Sequence, residues 1–216
     1  MAGRKTNVFV LGLDEYNLRQ LRTIRNADRY AFHPLLERQE ITRSTSFPME
    51  ELVGKAENRL DAFPGRIDGI VGYFDFPTSI LLPILRAHCG LSGPTLESIL
   101  RCEHKYWSRT IQKRVLPDMV PEFRVVDPFD AASVASLDLP YPYWLKPVKS
   151  HSSYLGFRIG SRRELDHAIE RVRCGVHRFG DPLNYAMARA DLPSEIAAVD
   201  GHHCIAEAMI SAGRQC

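Results

Sequence analysis

The chain of 216 residues is long for one ordinary domain and suits one domain plus a smaller second one. Apolar residues at 44% and charged residues at 25% exclude a disordered chain, and 28 basic against 26 acidic side chains leave a formal charge of +2, with no basic footprint for nucleic acid. No run approaches the roughly 18 apolar residues of a membrane span, and the apolar stretch from Val8 to Leu11 is too short for a signal-peptide core; a cytoplasmic protein with no membrane and no nucleic-acid partner is expected.

Val8-Phe9-Val10-Leu11-Gly12 is a β-branched and aromatic run closing on glycine, which predicts a buried parallel strand. From Glu15 to Arg25, Leu18, Leu21 and Ile24 recur at helical spacing. A second helix carries Leu52, Ala56, Leu60 and Phe63 and stops at Pro64-Gly65. Ile67 to Gly72 reads as a strand, and Thr78 to Cys89 as a helix ending at Gly90. This β-α-loop-α-β-α order implies a parallel sheet with helical crossovers, an α/β, Rossmann-like layer over residues 1–93. Its first strand leads into Gly12-Leu13-Asp14-Glu15-Tyr16-Asn17, which lacks the GxGxxG glycines that let a pyrophosphate approach the backbone.

The second half changes character. Gly93-Pro94-Thr95 opens a pair of short, charged helices running to about Arg114, and Phe123-Arg124-Val125-Val126 begins a strand. Tyr141 to Val148 is an aromatic and apolar strand with Lys146 inside it, followed by a polar turn, Lys149 to Gly156. Phe157-Arg158-Ile159 pairs back as its hairpin partner. Ser161 and Glu164 form a capping box for a helix whose apolar face is Leu165, Ile169, Val172, Val176 and Phe179, with Gly180 as its stop. The chain finishes on a strand from His203 to Ile210.

Lys146 needs an explanation, because a lysine among Trp144, Leu145, Pro147 and Val148 is costly to bury without a partner. One reading is an edge-strand lysine whose amine snorkels to solvent. The other is a phosphate ligand: a Ser-rich turn follows it, and a second lysine, Lys105, stands on a separate element. Two such lysines neutralise a polyphosphate as point charges.

In this order the residues resemble the ATP-grasp superfamily, in the branches near carbamoyl-phosphate synthase, biotin carboxylase and amino-acid ligases. The resemblance rests on Gly93-Pro94, His104-Lys105, Tyr141-Pro142 with Lys146-Pro147, the loop Ser150 to Gly156, and Ile205-Ala206-Glu207-Ala208-Met209-Ile210-Ser211-Ala212-Gly213. It implies a pre-ATP-grasp domain over 1–93, a small α+β lid subdomain over 94–204, and the first strand of the following subdomain over 205–216. It implies that Lys105 and Lys146 contact the phosphates of ATP, with Lys146 also near the adenine edge. Ser152, Ser153 and Gly156 would belong to a loop closing over the phosphates. Glu207 would sit at the hinge, with the backbone of Ala208 and Ile210 reading adenine. His151, where the family favours small residues, would either hydrogen-bond phosphate or face solvent.

The implied cofactors are ATP and Mg2+, with the magnesium ligands expected beyond the hinge strand and thus beyond Cys216. Little turnover is therefore expected of this chain by itself. The implied activity is a carbon–nitrogen ligase that turns a small-molecule carboxylate into an acyl phosphate for attack by an amine or other nucleophile; a homodimer is left open. Two other readings fit the residues: a degenerate, non-catalytic nucleotide-binding protein, and a Rossmann-like small-molecule module. No metal site is expected within the chain. In His202-His203-Cys204 only His202 and Cys204 share a strand face, and Cys89, Cys102, Cys174, Cys204 and Cys216 form no CxxC pair.

Overall fold

In the computed structural model, residues 4–42 and 45–210 are described. The chain divides into two compact units, Met1–Ile99 and Leu100–Cys216. The Ser211-Ala212-Gly213 part of the last motif lies outside the described residues. Among those described, no helix is long and apolar enough to cross a membrane.

The first unit runs β1 (Thr6–Val10), α1 (Glu15–Leu21), β2 (Tyr30–Pro34), α2 (Arg38–Thr42), α3 (Met49–Asp61), β3 (Gly69–Val71) and α4 (Thr78–His88). Its three strands are parallel in the order β2-β1-β3, so β1 is central, as its apolar run requires. Leu52, Ala56 and Leu60 form the buried face of α3, with Val53 beside them. The strand β2 is absent from the sequence reading. Tyr30-Ala31-Phe32-His33-Pro34 is half-buried, pairs among the described residues with β1 alone and ends on a proline, which an outer strand tolerates, so it carries no continuous apolar signal. The helix expected to reach Arg25 ends at Leu21, where the Thr23 hydroxyl donates to the Gln20 carbonyl at 2.8 Å, and Ile24 is left exposed.

Helix α5 (Leu96–Glu103) spans the division. The second unit continues with α6 (Lys105–Val115), β4 (Phe123–Val126), α7 (Ala131–Ala135), β5 (Tyr143–Pro147), β6 (Phe157–Ile159), α8 (Arg162–Gly175), α9 (His177–Met187), α10 (Ser194–Ala197) and β7 (Cys204–Ala208). All four strands are antiparallel, ordered β4-β7-β5-β6. The strand assigned by resemblance to a following subdomain, β7, thus lies inside this sheet. One sheet face presents Tyr143, Leu145, Cys204, Ala206 and Val126 to Leu165, Ala168, Ile169 and Val172 of α8, forming the core.

The helix expected from Ser161 to Gly180 is divided at Val176 into α8 and α9. The capping box is offset by one residue: Ser161 Oγ accepts from the Glu164 N–H at 3.3 Å, whereas the Glu164 carboxylate accepts from the Gly160 N–H at 2.7 Å. Replacing Ser161 by Ala should cost about 1 kcal/mol in urea denaturation. Gly180, expected as a helix stop, lies inside α9 instead. An added Cβ there would meet the Gly201 carbonyl oxygen at 2.6 Å, so glycine serves close backbone packing.

Candidate functional site

Side chains alternate across a strand, so Trp144 and Lys146 of β5 share the second sheet face with Ile205 and Glu207 of β7, opposite the core. Strand β5 is internal to the sheet, so Lys146 is not an edge lysine. Its amine forms an ion pair with Glu207, and Arg109 of α6 holds the other oxygen of the same carboxylate. Glu207 is only 5% exposed, and a buried carboxylate needs such partners. Arg109 escaped the sequence reading, although it stands four residues after Lys105, on the same helix face.

Lys105 opens α6, whose N-cap is the buried His104. His104 Nδ1 accepts from the Trp107 N–H at 3.2 Å, and Nε2 donates to the Val199 carbonyl at 2.7 Å. Burial lowers its pKa, consistent with this neutral ring. The Lys105 N–H donates to the Val148 carbonyl at 2.9 Å, tying α6 to the end of β5. Its amine donates to the Ser150 carbonyl at 3.0 Å and lies 3.4 Å from the Ser150 hydroxyl. Burial first, and then the positive charges of Lys149 and Lys146, push the Lys105 pKa down to about 7, against weaker support from Glu103 and Glu207. Lys149 is itself buried and ion-paired with Glu103.

The loop after β5 bends through left-handed backbone at Ser152 (φ 51°), Ser153 (φ 58°) and Leu155 (φ 55°). Ser152 and Ser153 are exposed. The Gly156 N–H donates to the Ser153 carbonyl at 3.0 Å. His151 faces solvent with its ring edge-on to Phe179, and its Nδ1 lies 3.0 Å from the Ser152 hydroxyl. The Tyr154 hydroxyl donates to the Gly175 carbonyl at 3.2 Å, anchoring the turn to the end of α8.

A cleft of about 410 Å³ opens on this sheet face, with Lys146, Glu207, Ala208 and Ile210 in its lining. Arg109, Trp144 and Met119 complete its charged and apolar walls. Trp144, Met119 and Ile210 are 43%, 76% and 84% exposed, an apolar surface suited to a planar ring. Lys105 and the serines of the turn are not in that lining; Lys105 instead lies within electrostatic reach of Lys146. The Ala208 N–H already donates to the Glu122 carbonyl at 2.8 Å, so it is spent within the fold. The residues present fit a nucleotide: cations beside an apolar slot. Among the described residues they do not fit magnesium, since Glu207 is the one carboxylate in the cleft's lining and two cations hold it.

No protein-family profile matches the chain. No curated protein matches it either. Among solved structures it is similar to an L-amino acid ligase from Bacillus licheniformis, at 16% identity and TM-score 0.58, over 97% of this chain and 45% of that one. It is similar to the VanG D-Ala:D-Ser ligase from Enterococcus faecalis, at 17% identity and TM-score 0.59, over 96% of this chain and 64% of that one. A RimK domain protein ATP-grasp from Sphaerobacter thermophilus aligns at 13% identity and TM-score 0.52, over 96% of this chain and 66% of that one. The chain has the fold of these proteins and spans 45% to 66% of their lengths.

Proposed function

We propose that this chain is the ATP-binding portion of an ATP-grasp ligase, with the first unit as its pre-ATP-grasp domain and the second as the nucleotide-holding lid. The observation that carries the reading is the convergence of Lys146, Glu207 and Arg109 in one cleft beside Trp144 and Ile210. Adenine would lie on the apolar wall, and the phosphates would reach toward Lys146 and Lys105. Glu207 pairs with both Lys146 and Arg109, and the phosphates would compete with it for the lysine. The loop bearing Ser152, Ser153 and Gly156 would fold over the phosphates. In the whole protein, the terminal phosphoryl group of ATP would pass to a carboxylate, giving ADP and an acyl phosphate. An amine would then attack that carbonyl and expel phosphate. In this reading the described residues would bind and orient the nucleotide rather than hold magnesium.

Lys105 supplies the test. With its pKa near 7, only part of the population carries the charge at neutral pH. A bound polyanion favours the charged form, so ATP binding should take up a proton. Between pH 7.5 and 8.5 the triphosphate is already ionised, and affinity should fall by up to ~10-fold per pH unit. Calorimetry in buffers of different ionisation enthalpy reads both effects. Lys105→Met should bind more weakly and show neither effect. ATP binding without proton uptake would remove Lys105 from the site; absence of ATP binding at every pH would refute the nucleotide reading.

A further inference from the structure

The second unit carries a cluster that the nucleotide cleft does not use. His177 and Asp181 stand four residues apart on one face of α9, and His202 reaches them from the loop before β7. His177 Nδ1 lies 3.2 Å from Asp181 Oδ1, and His202 Nε2 lies 2.6 Å from that oxygen. One ligand atom from each residue falls within 4.8 Å of the other two. From the geometry we infer that His177, Asp181 and His202 form a binding site for a single divalent transition ion of the zinc class.

The local backbone is built to hold these groups together. Gly201, beside His202, packs so closely on Gly180, beside Asp181, that an added Cβ would stand 2.3 Å from the Gly180 carbonyl oxygen. The Gly201 N–H donates to Asn184 Oδ1 of α9 at 2.6 Å, locking the loop to the helix at the level of the ligands. Behind His202, one Asp200 oxygen lies 3.6 Å from the ring Nδ1, and the other accepts the His202 N–H at 3.0 Å. At 2.6 Å the Asp181 oxygen accepts from His202 Nε2–H, and that proton is the one an ion bound here would replace. The Phe129 ring lies 6.1 Å and 6.4 Å from the two imidazoles, an apolar flank.

The donor set chooses the ion. Two imidazole nitrogens with one carboxylate oxygen suit Zn2+ and its neighbours, whereas Mg2+ and Ca2+ favour oxygen shells. A tetrahedral ion with bonds of about 2.1 Å spaces its ligands about 3.4 Å apart. The His177 and Asp181 side chains are exposed and would rotate to reach that spacing. Water would fill the fourth position. The bound ion would clasp α9 to the segment that feeds β7, and so to the strand carrying Glu207. His202-His203-Cys204 misleads as a local motif, since the partners of His202 come from α9 and not from its neighbours.

The full chain titrated with Zn2+ against a chromophoric chelator should bind one ion, with a rise in Tm on loading. His177→Gln and Asp181→Asn change exposed positions and keep the fold, as circular dichroism will verify. Each should weaken binding by about 100-fold and abolish the Tm rise. His203→Gln should bind as wild type. Binding weaker than ~0.1 mM in the wild type, or unchanged affinity in both α9 variants, overturns the site. So does a sulfur-to-metal charge-transfer band in the Co2+ form, because it would place the ion on cysteine thiolates.

Discussion

Lys146→Ala should lower ATP affinity by ~10- to 150-fold while leaving the far-ultraviolet dichroism of the protein intact. Hydrogen bonds to charged groups contribute about 1.5–3 kcal/mol, which converts to that range. The loss should be lasting, because the nearby cations among the described residues are already engaged: Lys149 with Glu103, Arg109 with Glu207 and Gln112, and Lys105 with the Ser150 carbonyl. Arginine at this position would not restore binding in full. Its planar fork would meet both oxygens of Glu207, favouring the internal pair over the phosphate. Isothermal titration of the wild type, Lys146→Ala and Lys146→Arg measures this order. An alanine variant within threefold of wild type would show that Lys146 serves only to neutralise Glu207. Absence of ATP binding in all three would favour a small-molecule module.

Gly201→Ala should be among the most destabilising single substitutions in the second unit. The new methyl would stand 2.3 Å from the Gly180 carbonyl oxygen and 2.8 Å from the Gly180 Cα, both backbone atoms that cannot rotate aside. Relief requires α9 and the 200–203 loop to part, breaking the bond from Gly201 N–H to Asn184. Overpacking of this kind costs about 3 kcal/mol or more, which corresponds to roughly 6–12 °C in Tm at this chain length. Gly180→Ala meets the same contact from the other side, so the two substitutions should be less than additive when combined. Thermal unfolding of the two single variants and the double variant tests this, and a shift below 2 °C in Gly201→Ala would show that the close approach is dispensable.

How much of this was legible in the residues depended on how local each signal is. Strands β4 to β6 and the apolar face of α8 follow from their aromatic and apolar runs and from the spacing of Leu165, Ile169 and Val172, since both patterns are carried by neighbours in sequence. Strand β2 was not legible: with only β1 beside it and half its surface wet, it has no need of an apolar run. Gly180 reads as a terminator because glycine usually ends helices, but what it answers to is Gly201, whose proximity no local pattern records. The same holds at the cleft. Lys146 stood out as a cation in an apolar strand, whereas Arg109 looked like any surface arginine until β7 placed Glu207 beneath it. His177 and Asp181 carry helical spacing that was visible in principle, and His202 completes them only in three dimensions.

The turn over residues 150–156 holds Ser152, Ser153 and Leu155 in left-handed backbone, where a side chain costs about 1–2 kcal/mol per residue. Such a turn is wound rather than slack. Any rearrangement that returned these three residues to ordinary backbone would release that energy, offsetting the loss of chain freedom as the loop ordered over a ligand. Glycines at the same positions would relax the turn at rest and leave nothing to release. The side chains at this bend would therefore make such a closing loop a loaded spring, with the Tyr154 hydroxyl on the Gly175 carbonyl as its catch.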